Sequence, residues 1–312
     1  MTARTEGVLL LTHPACLAHD PGPGHPESAA RLEAILAALD AADLPGLRRI
    51  EAPRATREQL LRVHDAAMVD GVFAAAPESG YVRIDADTVM SAGSLAAALH
   101  AAGATGAAVD AVLGGDTRRA FCAVRPPGHH ATRDTPMGFC LFNNIAVAAT
   151  HALDVYGLDR VAIVDFDVHH GNGTQDIFFR DPRVLYASTH QSPLYPGTGA
   201  RDERGVGQVV NAPLPPGAGP DAFRAACDGI VLPALEAFAP QLVLVSAGFD
   251  AHRRDPLASL ELGAEDFAWI TARLVEVAER HAQGRIVSSL EGGYDLGALA
   301  ESSVAHVREL SR

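Results

Sequence analysis

Aspartate and histidine alternate in the segment Asp165-Phe166-Asp167-Val168-His169, which directly follows an apolar run. In an extended chain, residues two apart point to the same side, so Asp167 and His169 face one region. A carboxylate oxygen and an imidazole nitrogen are both ligands that Zn²⁺ accepts, and Asp250, after another apolar run, is a candidate third ligand. Three protein ligands leave one position open, which is typical of a catalytic zinc site.

Two adjacent histidines, His129 and His130, follow a Pro-Pro-Gly turn. Two imidazoles held in a rigid turn suggest general acid–base chemistry on a water that the metal activates. Each needs a partner on its other ring nitrogen to fix its orientation, and Asp165 and Asn172 are the candidates. The alternative is that the turn only redirects the chain and leaves both histidines exposed.

Aromatic residues stand in three glycine-rich loops. Tyr294 follows Gly292-Gly293, where its phenol could donate a hydrogen bond to a developing oxyanion. Phe139 follows Gly138, and Tyr195 precedes Pro-Gly-Thr-Gly. The rings of Phe139 and Tyr195 could face each other and form a narrow apolar slot for an alkyl chain, with ordinary loop packing as the alternative. For Tyr294 the alternative is an ordinary surface tyrosine after a Gly-Gly turn.

These residues need a scaffold that brings distant segments together. Short runs that are apolar throughout predict buried strands at Val8–Leu11, Ala120–Val124, Arg160–Asp165, Val184–Ser188, Leu242–Ser246 and Ile286–Leu290. Longer patterns predict helices at Glu27–Leu39, Ser91–Leu113, Asn143–Tyr156, Ala222–Phe238, Ala264–His281 and Leu296–Leu310. A break in the second of these helices, near Gly103 and Gly106, is one expectation.

Apolar strands that alternate with helices predict one α/β domain over residues 1–312, with a central, mainly parallel sheet flanked by helices on both faces. Ligands of such sheets bind beyond the carboxyl ends of the strands. The polar motifs all follow apolar runs, so we expect them to meet in one crevice.

Composition narrows the classes of function. The chain has a net charge of −13, and all 25 basic residues are arginine. Phosphate repels an acidic protein, so nucleic-acid binding is not expected. The four cysteines are scattered, which argues against disulfides and a cysteine zinc site. We predict no signal peptide and no stretch approaching the ~20 apolar residues of a membrane span. These features indicate a cytoplasmic protein, and the excess of arginine and alanine suggests a bacterial source.

Six motifs occur in order: RPPGHHA (125–131), GFCLFNN (138–144), VDFDVHHGNGTQ (164–175), YPGTG (195–199), SAGFDAHRRDPL (246–257) and EGGYD (291–295). With Gly24-His25-Pro26-Glu27 and Arg31, they resemble the histone deacetylase family, which has the arginase–deacetylase fold. The resemblance implies zinc-dependent hydrolysis of an acyl amide, with removal of acetyl or another short acyl group from lysine as the main expectation. The implied ligands of the single zinc ion are Asp167, His169 and Asp250.

The resemblance also implies a role for other residues. His130 would act as general base and then acid, supported electrostatically by His129 paired with Asp165. Tyr294 would polarise the acyl carbonyl, and Arg31 would lie on a channel by which acetate leaves. The substrate channel would be lined by Gly138, Phe139, Tyr195 and Leu257. Structural K⁺ is implied at Asp165, Asp167, His169, Ser188 and Thr189, and at the carbonyls around Phe178, Asp181 and Val184.

Two residues depart from patterns of the family. Asn172 stands where many class I members have Asp, which suggests a class II type, and an amide there should make His130 less easily protonated. Leu257 stands where polyamine-selective relatives are expected to carry Glu, which weakens a polyamine assignment. Asp85 and Asp87, before the loop that rims the pocket, could supply an acid instead.

Three alternatives remain open at the level of sequence. Acetylpolyamines or other small acetylated amines could replace acyl-lysine peptides or proteins as substrates of the same site. A ureohydrolase with two manganese ions would need Asp two places after His169, where this chain has Gly171. A non-catalytic binding module would have no need of two histidines together with Tyr294.

A homo-oligomer is possible, since relatives are often dimers or tetramers.

Overall fold

Strands of the protein form one large sheet and one hairpin in the computed structural model, which describes residues 7–312. The predicted domain 1–312 begins six residues before this range. The strands are β1 (Val8–Thr12), β2 (Arg48–Glu51), β3 (Tyr81–Arg83), β4 (Val89–Ser91), β5 (Arg119–Cys122), β6 (Val161–Asp165), β7 (Val184–Gln191), β8 (Val209–Leu214), β9 (Leu242–Ala247) and β10 (Ile286–Leu290). β3 and β4 pair antiparallel as the hairpin, and the other eight form the sheet.

Helices lie on both faces of the sheet. They are α1 (Ala29–Ala41), α2 (Arg57–Leu61), α3 (Ala66–Ala75), α4 (Ser94–Gly114), α5 (Asn144–Asp154), α6 (Asn172–Phe178), α7 (Pro220–Ala226), α8 (Leu232–Phe238), α9 (Ala264–His281) and α10 (Leu296–Leu310). Strand β5 contacts both α4 and α10, and β9 contacts both α5 and α9. Since α4 packs on α5 and α9 packs on α10, these pairs form two layers around the sheet.

The sheet confirms the predicted α/β class. Its strand order is β2-β1-β5-β10-β9-β6-β7-β8, and each neighbouring pair is parallel. All six predicted strands are present, with ends that differ by up to three residues. The sequence patterns missed β2 and β8, which lie at the two edges. Edge strands tolerate the charges of Arg48–Glu51 and the proline at Pro213, so neither reads as a buried strand.

Two helix predictions need correction. The expected break in the second helix is wrong, because α4 continues through Gly103 and Gly106. These glycines instead allow close packing, since a Cβ at Gly103 would lie 2.1 Å from the carbonyl oxygen of Pro53. The single helix expected at 222–238 is divided by a π-helical turn, Cys227–Val231. Pro233 lies just after this turn and lacks the N–H that a regular helix would use.

Helix α4 also corrects the expectation about membrane spans. Among the described residues, it is the one helix of a length and composition sufficient to cross a bilayer. In this fold, 67% of its most apolar window is buried inside the protein. The helix contacts β1, β5 and β10, so its apolar surface packs on the sheet.

The strand order explains how separate motifs meet. Strands β5, β10, β9 and β6 are consecutive in the centre of the sheet and parallel. In register, Cys122 pairs with Ser289, Ser289 with Ser246, and Ser246 with Asp165. The four strands therefore end at one level, and the polar segments that follow them start side by side at the carboxyl edge.

The close approach at Gly103 predicts opposite effects for two helix glycines. Gly103→Ala should lower the free energy of unfolding, because the new Cβ would collide with backbone of residues 53–55. Gly71→Ala in α3 should raise it by about 0.5–1 kcal/mol, because that position has open space and alanine favours helix. Denaturant unfolding of both variants measures this difference. A stabilised Gly103→Ala protein would contradict the packing described.

Candidate active site and metal centre

Three side chains at the carboxyl edge of the sheet form a cluster that could hold a metal ion. Asp167 and His169 follow β6, Asp250 follows β9, and one ligand atom of each lies within 4.8 Å of the others. His169 Nδ1 lies 3.1 Å from Asp167 Oδ1 and 3.1 Å from Asp250 Oδ2. One nitrogen and two oxygen donors form a set that Zn²⁺ binds, with a fourth position left open.

Backbone contacts hold the two carboxylates of the cluster in place. The N–H of Gly292 donates to Asp167 Oδ2 at 2.8 Å, and the N–H of Val168 donates to Asp250 Oδ1 at 2.9 Å. A Cβ at Gly292 would lie 2.0 Å from Asp250 Oδ2, and a Cβ at Gly248 would lie 2.0 Å from Asp167 Oδ2. Glycine is therefore required at both positions for the backbone to approach the carboxylates.

The protonation of this cluster reflects its burial. Burial, together with the charge of Asp167, raises the pKa of Asp250 to about 7. Burial disfavours a charged His169, but its hydrogen bonds with Asp167 and Asp250 raise its pKa to about 10. Protons thus offset part of the buried negative charge, and a bound cation would displace them, because metal ligands bind in their deprotonated forms.

His129 and His130 lie beside the cluster in the turn that follows β5. Nδ1 of His129 lies 3.0 Å from Asp165 Oδ2, and Nδ1 of His130 lies 2.8 Å from Asn172 Oδ1. The two ring centroids are 4.1 Å apart. Both histidines are buried, so the alternative of an exposed pair is wrong. Each ring has its Nδ1 fixed and its Nε2 left for chemistry.

The two histidines differ in charge. Burial lowers the pKa of both, but the negative charges of Asp165 and Asp167 outweigh burial at His129 and raise its pKa well above the usual value. At His130, burial and the neighbouring charge of His129 hold the pKa well below the usual value. The amide of Asn172 brings no charge to oppose this, as the sequence indicated. His130 is therefore the neutral imidazole of the pair.

Tyr294, in the loop after β10, is held from three sides. Its N–H donates to Asp255 Oδ2 at 2.7 Å. The guanidinium of Arg31 lies 4.7 Å from the centre of its ring, and Phe139 meets the ring edge-on at 6.0 Å. Burial raises the pKa of the phenol well above its usual value, while Arg31 opposes this shift. The hydroxyl therefore remains a hydrogen-bond donor.

Arg31 lies fully buried behind Tyr294. It donates to the carbonyls of Gly293 and Glu291, both at 2.6 Å, and to Glu27 Oε1 at 3.0 Å. Its guanidinium thus fixes the backbone on both sides of Gly292. The exit of acetate past this residue stays a prediction.

A cavity of about 250 Å³ opens onto these groups. Its walls include both histidines of the turn, His169 and Tyr294, and also the four predicted channel residues Gly138, Phe139, Tyr195 and Leu257. The ring of Tyr195 stands edge-on to His130 at 5.1 Å. Gly138 packs against His130 so closely that a Cβ there would lie 2.5 Å from its ring. The predicted channel residues therefore share one cavity with the predicted catalytic residues.

Sequence reasoning gave no role to two buried acids of the site. Glu291 accepts hydrogen bonds from the N–H of Gly128 and of His129, and Asp255 accepts from Tyr294. The signal for Glu291 was a carboxylate directly after the predicted buried strand Ile286–Leu290. Asp87, named only as an alternative acid, also lines the cavity.

The residues of the first predicted K⁺ site lie at or beyond the carboxyl end of β6 and in the facing part of β7, beside the cluster. Ser188 is opposite Asp165 in the register of β6 and β7, and its Oγ lies 2.9 Å from His190 Nδ1. Thr189 follows in the same strand. The second predicted site lies in the turn between α6 and β7, at the carbonyls of Phe178, Asp181 and Val184. K⁺ binding at both places stays a prediction.

Known proteins resemble this chain over most of its length. The family model described as histone deacetylase domain matches residues 25–310. The histone deacetylase-like amidohydrolase of Pseudomonas aeruginosa is 44% identical over 294 residues, which cover 92% of this chain and 77% of that protein. A probable deacetylase of Archaeoglobus fulgidus is 40% identical over 310 residues, which cover 97% of this chain and 86% of that protein.

Among solved structures, the HDA15 HD domain superposes with a TM-score of 0.93 at 37% identity, over 98% of this chain and 88% of that chain. The family match spans the strand-end motifs from the His129–His130 turn to Tyr294. The relatives are named as deacetylases or amidohydrolases. The chain therefore belongs to the histone deacetylase family and is an enzyme of the deacetylase and amidohydrolase type.

Proposed function

We propose that this enzyme uses one Zn²⁺ per chain to remove acetyl or other short acyl groups from lysine side chains of peptides or proteins. One observation carries the proposal: a three-ligand cluster, a neutral imidazole and a protonated phenol converge on one cavity. Amide hydrolysis needs an activated water, a group that moves protons and a donor for the oxyanion. The cavity offers a candidate for each.

The donor set supports zinc. Asp167, His169 and Asp250 are buried and supply two carboxylate oxygens and one imidazole nitrogen within 4.8 Å of one another. Two adjacent buried carboxylates are costly unless a positive charge offsets them. When bound there, zinc would polarise the acyl oxygen and lower the pKa of a water.

Metal removal should abolish activity, and zinc should restore it at one ion per chain. His169→Ala should lower both zinc content and activity, because it removes the nitrogen ligand. His281→Ala is the matched control: this histidine pairs with Glu236 at the end of α9, just before β10 begins at the opposite edge of the sheet. Elemental analysis measures the content.

Two manganese ions per chain would contradict the one-zinc proposal and favour a ureohydrolase. The position of His170 argues against that alternative. Its Nδ1 lies 2.7 Å from Thr198 Oγ1 and its Nε2 lies 3.0 Å from Gln175 Oε1, so both ring nitrogens are engaged outside the cluster.

His130 and His129 would divide the proton chemistry. A neutral His130 can accept a proton from the attacking water and later donate it to the leaving amine. Its hydrogen bond with Asn172 keeps the ring in place during both steps. His129, protonated beside Asp165, would stabilise the negative charge that develops nearby without itself losing a proton.

Tyr294→Phe should lower kcat/KM, because the variant loses only the hydroxyl that donates to the oxyanion. The expected loss of transition-state stabilisation is about 2–4 kcal/mol. The contacts of its ring with Arg31 and of its N–H with Asp255 would remain. Tyr156→Phe is the control, since that hydroxyl donates to Asp110 at the surface. Steady-state kinetics on an acetyl-lysine peptide measure both, and an unchanged Tyr294→Phe enzyme would refute the oxyanion role.

The channel favours an acyl-lysine over an acetylpolyamine. Leu257 lines the cavity and offers no charge to a second ammonium group. One observation supports the polyamine alternative. The carboxylate of Asp87 lies in the wall of the same cavity and could attract a second ammonium group.

A direct comparison of substrates decides between these classes. We expect a higher kcat/KM for an acetyl-lysine peptide than for N-acetylputrescine, because the wall at Leu257 is apolar. Asp87→Asn should then affect both substrates to a similar extent. Faster turnover of acetylputrescine, lost selectively in Asp87→Asn, would establish the polyamine alternative. A panel of longer acyl-lysine peptides measures the preferred acyl length.

A further inference from the structure

Glu291 is a fully buried carboxylate to which the proposed chemistry assigns no task. Its Oε2 accepts from the N–H of Gly128 at 2.7 Å and from the N–H of His129 at 3.2 Å. Its Oε1 accepts from the hydroxyl of Ser246 at 3.1 Å. Burying a carboxylate costs several kcal/mol unless hydrogen bonds compensate it, so these contacts define its position.

The histidine turn, residues 126–130, also makes hydrogen bonds with elements other than β10. The side-chain amide of Asn144 donates to the carbonyl of Pro126 at 3.1 Å. The N–H of Thr174 donates to the carbonyl of His129 at 3.1 Å. These bonds join the turn to α5 and α6. Glu291 instead joins it to β10, the strand that leads to Tyr294.

The backbone of Glu291 is itself fixed. Arg31 donates to its carbonyl oxygen at 2.6 Å, and its N–H donates to the carbonyl of Ala247 at 3.0 Å. A side chain with an anchored backbone can transmit that position to the groups it contacts. The chain of contacts thus runs from Arg31 through Glu291 to the N–H groups of Gly128 and His129.

We propose that Glu291 is a positioning residue that sets the histidine turn against the Tyr294 loop through hydrogen-bond acceptance rather than through its charge. The two hydrogen bonds that Glu291 accepts, here called the clamp, fix the backbone N–H groups of Gly128 and His129. The clamp therefore sets the distance from His130 to Tyr294 across the cavity. This inference rests on the proposed function, in which both side chains act on one acyl group. Displacement of such a group by about 1 Å can cost about 100-fold in rate.

Two conservative variants separate the clamp from the charge. Glu291→Gln keeps the side-chain length and an oxygen acceptor but removes the charge. Glu291→Asp keeps the charge but withdraws the carboxylate by about 1.5 Å, one carbon–carbon bond. We expect Glu291→Gln to keep near wild-type kcat, and Glu291→Asp to lose about 10- to 100-fold in kcat with unchanged KM and zinc content.

Amide hydrogen exchange of Gly128 and His129 provides a readout independent of activity. The clamp predicts protection of these amides in the wild type and in Glu291→Gln, and faster exchange in Glu291→Asp. Ser289→Ala is the matched control in the same strand. Ser289 is buried, and its hydroxyl has no hydrogen-bond partner within the described part of the chain, so its removal should change neither measurement.

The opposite ranking, with Glu291→Asp active and Glu291→Gln impaired, would overturn the proposal in favour of charge. Unchanged kcat and exchange in both variants would also overturn it. A lower kcat, a changed KM and a lower zinc content in both variants would indicate general disruption and would equally overturn the proposal. If the wild type hydrolyses no acyl amide, the proposed function fails, whereas the exchange data still decide whether the clamp exists.

Discussion

Four carboxylates lie next to one another at the carboxyl edge of the sheet with almost no contact with water: Asp165, Asp167, Asp250 and Glu291. Such a concentration of buried negative charge is unfavourable unless hydrogen bonds and positive charge offset it. Backbone N–H groups supply much of the compensation, for example from Gly292 to Asp167 and from Val168 to Asp250.

The same negative charge organises the catalytic groups. The charges of Asp165 and Asp167 raise the pKa of His129, and the resulting cation, with burial, lowers the pKa of His130. The two adjacent histidines therefore differ in charge because their surroundings differ. The remaining negative charge makes the cluster of Asp167, His169 and Asp250 a suitable place for a divalent cation.

A second buried ionic network lies behind the first. Glu27 contacts Arg31 and also Arg125, whose Nη2 donates to Glu27 Oε2 at 2.7 Å. Arg125 directly precedes the turn of His129, while Arg31 holds the carbonyls beside the Tyr294 loop. The N-terminal Gly-His-Pro-Glu motif therefore connects the two loops that must face each other across the cavity.

The amino-acid sequence by itself determined which chemical groups the site contains and the class of fold that positions them. Apolar strands predicted the parallel sheet, and their polar ends predicted where His129, His130, Asp167 and Asp250 would meet, because both depend on local pattern. It did not reveal the edge strands, the continuity of α4 at Gly103 or the bonds of Glu291, since these depend on which segments become neighbours. Asn172 indicated that His130 is less easily protonated, but only the tertiary structure decided the raised pKa of His129. A pKa is set by the burial and charges around a group, and these come from segments far apart in the chain.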